Sequence, residues 1–114
     1  MKKQYRVKKN DEIVEILKER KITAGTDFVI YHKENREEEH YRYAVSVPKK
    51  YGNAVERNLI KRRVRSAVRN LKIKNHLDFF IIIKITAKNL TYEDISAEIN
   101  SILKRAKILE VPND

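Results

Sequence analysis

The 114 residues carry 26 Lys and Arg against 16 Asp and Glu, a formal net charge of +10, and 41% of them are hydrophobic, enough for one domain with its own core over residues 1–114. The absence of cysteine excludes disulfides, thiolate metal sites and thiol nucleophiles. The longest apolar run, Phe79 to Ile83, is too short for a membrane span, and the charged start leads into no apolar signal segment, so a cytoplasmic protein with no membrane partner is expected.

The charge is segregated. Residues 1–9 carry +5 and residues 48–76 carry +9, whereas residues 10–47 carry −3 and residues 77–114 carry −1. Solubility is served as well by interspersed charge. Crowded like charges repel unless a polyanion is present, so the two basic segments point to a phosphate-binding surface.

In chain order, Asn10 is expected to cap a first helix that runs to about Arg20. Asp11 and Glu12 fall in its first turn, Ile13, Ile16 and Leu17 share one face, and Gly25 follows its end. Phe28 to His32 reads as a strand, Glu34 to His40 as a loop, and Tyr41 to Val47 as a second strand with alternating apolar positions. A hairpin of these two strands is predicted, and Pro48 ends it. Gly52 and the pair Asn53 and Glu56, three residues apart like a capping box, announce a helix to about Asn70. The run Phe79 to Ile85 is nearly all apolar, the mark of a strand at the centre of a sheet or covered on both faces. Thr91 with Asp94 repeats the capping signal, and Ile95, Ile99, Ile102, Leu103 and Ala106 follow at one-face helical spacing. The order helix, strand, strand, helix, strand, helix predicts an α/β sandwich with helices packed on a small sheet.

On the helix from Ala54 to Asn70, at 100° per residue with Arg57 at zero, Ile60, Val64, Ala67, Val68 and Leu71 fall between about 280° and 20° and must face the core. Arg57, Lys61, Arg65, Asn58, Arg69 and Arg62 fall between about 0° and 140°. That flank is almost wholly cationic and extends for roughly 18 Å, enough to meet several successive phosphates. Arg63 and Glu56 lie on the other flank and are expected to matter less. A basic amphipathic helix alone could equally meet an acidic protein or a membrane surface.

The residues themselves are more specific. Lys49-Lys50-Tyr51-Gly52-Asn53-Ala54-Val55-Glu56-Arg57-Asn58-Leu59-Ile60-Lys61-Arg62-Arg63-Val64-Arg65 resembles the signature of the bacterial ribonuclease P protein family. The basic N-terminus before a short helix, the Phe-Val-Ile-Tyr strand, the apolar strand and the closing helix extend the resemblance over nearly the whole chain. There are two departures. The family's usual Arg-Asn-Arg reads Arg57-Asn58-Leu59, with Leu59 at about 200° and off both stripes. Where the family often has aromatics in its first helix, this chain has Ile13 and Leu17.

The resemblance implies a two-layer α/β sandwich of the α+β class: a small mixed sheet with three helices, similar to the second domain of a ribosomal protein. It also implies a left-handed βαβ crossover through the basic helix, where a right-handed one is the ordinary expectation. It implies a subunit of the ribonucleoprotein that removes the 5′ leader from precursor tRNA. In that family the RNA subunit does the chemistry with Mg2+ bound mainly by the RNA. No catalytic residue, protein-held metal or small-molecule substrate is then expected of this chain. The partners implied are the catalytic RNA, bound through Lys49, Lys50, Asn53, Arg57, Asn58, Lys61, Arg62, Arg65 and Arg69, and the precursor tRNA. Its single-stranded leader would lie in a cleft of Tyr31, Tyr43 and Val29 with Ile13 and Leu17 as apolar walls. Aromatic faces accept any base, at about 1 to 3 kcal/mol per stacked contact. For Tyr41 and Tyr43 a plain core role or a cross-strand aromatic pair competes with that reading.

Two other functional classes compete with this reading. A protein-only nuclease needs convergent carboxylates or histidines, but His32, His40 and His76 lack ligand spacing and Glu37, Glu38 and Glu39 read as a solvated charge run. A non-catalytic ribosomal or RNA-assembly protein would share the basic helix and the fold, and only the signature and the cleft separate it.

Overall fold

A computed structural model describes residues 5–110. Its elements are α1 (Asn10–Lys18), β1 (Lys21–Ala24), β2 (Phe28–Glu34), β3 (Arg42–Ser46), α2 (Ala54–Arg69), β4 (Leu77–Ile83) and α3 (Tyr92–Arg105), with short 3-10 turns at Lys49–Tyr51 and Ile85–Asn89. The strands form one mixed sheet in the order β1-β2-β4-β3. β1 pairs antiparallel with β2 and β2 antiparallel with β4, while β3 and β4 are parallel and joined through α2.

Two expectations are corrected by this topology. β2 and β3 do not form a hairpin, because β4 lies between them; the antiparallel neighbour of β2 in sequence is β1, a strand outside the predicted elements. β1 escapes notice because it is a four-residue edge strand, solvent-exposed at every position except Thr23, so no period-two pattern marks it. The start of α1 is also shifted. Lys9 is its N-cap and offers no side-chain bond, while Asn10 is already helical. The helix ends at Lys18, and Arg20 takes a left-handed conformation (φ 54°) with its N–H on the carbonyl of Leu17, which turns the chain into β1.

The main core lies between the sheet and the pair α2 and α3. Phe28 and Ile30 of β2, Phe79, Ile81 and Ile83 of β4, Val64, Ala67 and Val68 of α2 and Ile95, Ile99, Ile102 and Leu103 of α3 are all shut off from solvent. These are the apolar stripes the helical periodicity predicts. α1 contacts β2 and β4 from the opposite face of the sheet with Ile16 buried; neither Ile16 nor the buried Val7 belongs to the main core.

Candidate RNA interface

α2 is fixed at its start by a complete capping box. The Asn53 side chain accepts the Glu56 N–H at 2.9 Å, and the Asn53 N–H donates to Glu56 Oε1 at 3.1 Å. Gly52 is needed for that arrangement, because a Cβ there would come within 2.6 Å of Glu56 Oε1 and push the carboxylate out of the box. The Asn53 N–H, and next to it Lys88 at 3.4 Å, hold the Glu56 carboxyl below the usual carboxylate range.

With Ile60, Val64, Ala67 and Val68 buried, the rest of the helix surface is mostly basic, with Val55 and Leu59 as exposed apolar residues. Arg57, Lys61 and Arg65 are half-buried, whereas Asn58, Arg62 and Arg69 are exposed, as are Lys49 and Lys50 in the preceding turn and Asn53 at the cap. Among the described residues, no Lys or Arg from Lys49 to Arg69 is in an ion pair. The Nε groups of Arg57 and Arg65 are out of reach of water, so these two stems lie down on the protein surface. Arg63 does not stand apart as expected. It borders the same surface groove as Arg62, Arg65 and Arg69, because arginine side chains are long enough to reach around the helix.

The two basic segments meet at the edge of the sheet. Arg6 pairs in parallel with Tyr43, and Val7 donates its N–H to the Tyr43 carbonyl at 3.0 Å, which covers the free edge of β3. The Tyr5 ring stacks on Tyr41 at 4.8 Å, and the Tyr43 ring lies parallel to Phe79 at 5.0 Å. Burial pushes the Tyr43 phenol up to about 12, against the pull of Arg65 and Arg69, so the cationic flank of α2 stands beside these rings. Tyr41 is likewise raised by burial, with Arg69 pulling the other way. Lys2 and Lys3, which share in the basic N-terminal charge, lie outside the described residues.

The expected cleft residues divide between the two faces of the sheet. Val29 and Tyr31 alternate with the core residues Phe28 and Ile30, so they point to the side on which α1 lies, and both are half-buried. Ile13 and Leu17 flank the buried Ile16 on α1, also half-buried. Tyr43 is the exception. The parallel register places it opposite Phe79, whereas Tyr31 is opposite Phe80, so Tyr43 faces the α2 side and is only 3% exposed. It is a core tyrosine. The same register adds residues to the α1 side that the sequence reading missed. Phe80 and Ile82 of β4 and Ala44 and Ser46 of β3 are all half-buried there. Their signal was the alternate positions of an apolar run.

Arg42 ties α1 to this face. Its Nε and Nη2 donate to the two oxygens of Asp78 at 3.1 and 2.9 Å, and Nη2 also donates to Glu12 Oε2 on α1 at 2.6 Å. Asn35 Nδ2 donates to Asp78 Oδ2 at 2.9 Å. The hydrogen bond that Asp78 accepts, and after it the one that Glu12 accepts, raise the Arg42 pKa against the opposing effect of burial. The histidines are dispersed, with Nδ1 of His40 on the Tyr41 carbonyl and Nδ1 of His76 on the Glu38 carbonyl. Among the described residues no three His, Asp or Glu side chains are grouped as metal ligands, and no helix is long and apolar enough to cross a membrane.

This constellation of fold and signature has close counterparts. The ribonuclease P family profile matches residues 1–107. The chain belongs to the ribonuclease P protein family. It is 39% identical over 113 residues to the ribonuclease P protein component of Enterococcus faecalis, covering 97% of this chain and 96% of that one. It is 41% identical over 112 residues to that of Streptococcus pyogenes serotype M5, covering 96% and 92%. Among solved structures, the Staphylococcus aureus RNase P protein superposes with a TM-score of 0.85 at 38% identity over 93% of this chain and 98% of that one. The RNase P protein of Thermotoga maritima does so with a TM-score of 0.80 at 25% identity over 88% and 96%. The mixed sheet with three helices is thus the family's fold.

Proposed function

We propose that this chain is the protein subunit of ribonuclease P, the ribonucleoprotein that removes the 5′ leader from precursor tRNA. The observation that carries the reading is the family signature folded as one capped helix, its apolar stripe buried and, among the described residues, its lysines and arginines outside any ion pair. Lys49, Lys50, Asn53, Arg57, Asn58, Lys61, Arg62, Arg65 and Arg69 bind the catalytic RNA mainly through phosphates, with arginine forks adding bidentate contacts. The leader lies on the other face of the sheet, against Val29, Tyr31, Phe80 and Ile82 with Ile13 and Leu17 of α1 as its wall. Phosphodiester hydrolysis belongs to the RNA subunit, where Mg2+ supplies charge neutralisation and an activated water. The chain works in the cytoplasm as one RNA-binding domain that positions the substrate and offsets repulsion between two polyanions.

Single-turnover cleavage of a precursor tRNA, with and without the protein across a magnesium series and with leaders of zero to about ten nucleotides, tests this. The protein alone cleaves nothing, it replaces part of the magnesium requirement, and its benefit grows with leader length. Cleavage without RNA, or equal help to leaderless substrate, would overturn the assignment.

A further inference from the structure

On the side of α2 turned away from the sheet, that helix and the start of α3 border an open groove of about 400 Å³. That volume lies within the roughly 300–1,000 Å³ usual for ligand sites. Arg62, Arg63, Arg65 and Arg69 line it from α2, and no acidic residue does. Tyr92, the first residue of α3, forms its other wall. Tyr92 is 37% exposed, yet its hydroxyl is held, 3.0 Å from Ser66 Oγ and accepting from Asn70 Nδ2 at 3.4 Å. An aromatic ring tethered in this way has already lost much of the freedom that a ligand would otherwise have to restrict. Leu59, 40% exposed, places a second apolar surface among the four cations.

A phosphate needs only the guanidinium groups. The tethered ring and the exposed leucine offer it nothing, but they suit the flat, sequence-independent face of a nucleobase. Arginines on either side suit the phosphates that precede and follow that base. We propose that this groove is a nucleotide site, in which one unstacked base of a single-stranded RNA segment rests on Tyr92 and Leu59 while the arginines hold its flanking phosphates. The site rests on the reading of α2 as an RNA-binding helix and extends it to Arg63, Ser66 and Tyr92. It lies on the far side of the sheet from Tyr31, so a leader strand and this base are held independently.

The test uses the full chain and four probes: hexa-adenylate RNA, AMP, inorganic phosphate and hexaglutamate. Hexa-adenylate should shift the Tyr92 ring resonances, assigned by their loss in Tyr92→Phe. Tyr92→Ala should weaken hexa-adenylate binding about 5- to 150-fold, the equivalent of one base stacked on one aromatic ring at about 1 to 3 kcal/mol. Tyr92→Phe, which keeps the ring, should stay within about threefold. Arg63→Ala should weaken binding and reduce the salt slope by about 0.7, the single-strand value for one phosphate. If Tyr92→Ala and Arg63→Ala leave binding unchanged while Lys61→Ala weakens it, the groove is refuted and the reading of α2 stands. If none of the three matters, both are refuted. Inorganic phosphate or hexaglutamate binding as tightly as hexa-adenylate would reduce the groove to an anion site, and AMP binding as tightly would make the ligand a free nucleotide; either result overturns the proposal.

Discussion

Replacing Asp78 with asparagine should be among the most damaging conservative changes in the chain. The Asp78 side chain is 6% exposed and that of Arg42 13%. The carboxylate accepts three hydrogen bonds, two from Arg42 and one from Asn35. Asparagine removes the charge and turns an NH2 group toward donors. Breaking a buried pair by removing one partner costs about 3–5 kcal/mol, because the remaining charge stays desolvated. Here Glu12 and Glu38 still face Arg42 at 2.6 and 3.5 Å, so a loss near the lower end, about 3 kcal/mol, is expected. Against a total stability of about 5–15 kcal/mol this is a large fraction. Removing both partners, with Arg42→Met and Asp78→Leu, leaves no stranded charge in the pair and should return to within about 1–2 kcal/mol of the parent. Urea unfolding at constant m-value measures both. Glu12→Gln, by contrast, should loosen α1 locally, so amide exchange in α1 quickens while β4 stays protected. An Asp78→Asn variant within about 0.5 kcal/mol of the parent, or a double variant no better than the single, would refute the reasoning.

The remaining predictions concern titration, packing and charge. His32 has its pKa lowered by burial first and by Lys21 second. The fold therefore prefers the neutral ring, and the stability this contributes is full above the ordinary histidine value and lost as pH falls through the lowered one. His32→Gln should flatten the decline in urea midpoint below pH 6.5, and an unchanged decline would contradict the assignment. Gly25→Ala places a Cβ 2.7 Å from Ile102 Cδ1 and should cost about 1–3 kcal/mol, part of it recovered by adding Ile102→Val; a neutral change would show that α3 can yield there. Lys61→Ala should leave the thermal midpoint nearly unchanged while reducing the salt slope of binding to the catalytic RNA by about 0.7–0.9, and an unchanged slope would place Lys61 away from phosphate.

The parts of this molecule that were legible in its sequence are those specified by neighbours. Asn53 with Glu56 and Thr91 with Asp94 both form complete capping boxes, and both helices bury the predicted stripe. These signals lie within one or two helical turns. Apart from the exposed edge strand β1 and the N-cap of α1, the misread parts depend on segments far apart. The alternation from Tyr41 to Val47 reports that a strand is half-covered, but it does not say which strand lies beside it. Its partner β4 begins some thirty residues later, and only that pairing decides that Tyr43 faces Phe79 and the core. Arg42 and Asp78, 36 positions apart, read singly as surface charges and become a buried pair only when the same two strands align.

The candidate leader site shows the same dependence most clearly. An ordinary one-faced strand alternates apolar with polar residues, and β4 does not: Phe79, Ile81 and Ile83 fill the core against α2 and α3, while Phe80 and Ile82 lie half-open on the face shared with α1. The unbroken apolar run therefore answers two demands at once, a sealed core and a second apolar face that α1 covers only in part. A continuous run in an internal strand normally signals burial on both sides. Here, among the described residues, the second side is only half covered, and that opening is what the proposed leader site uses.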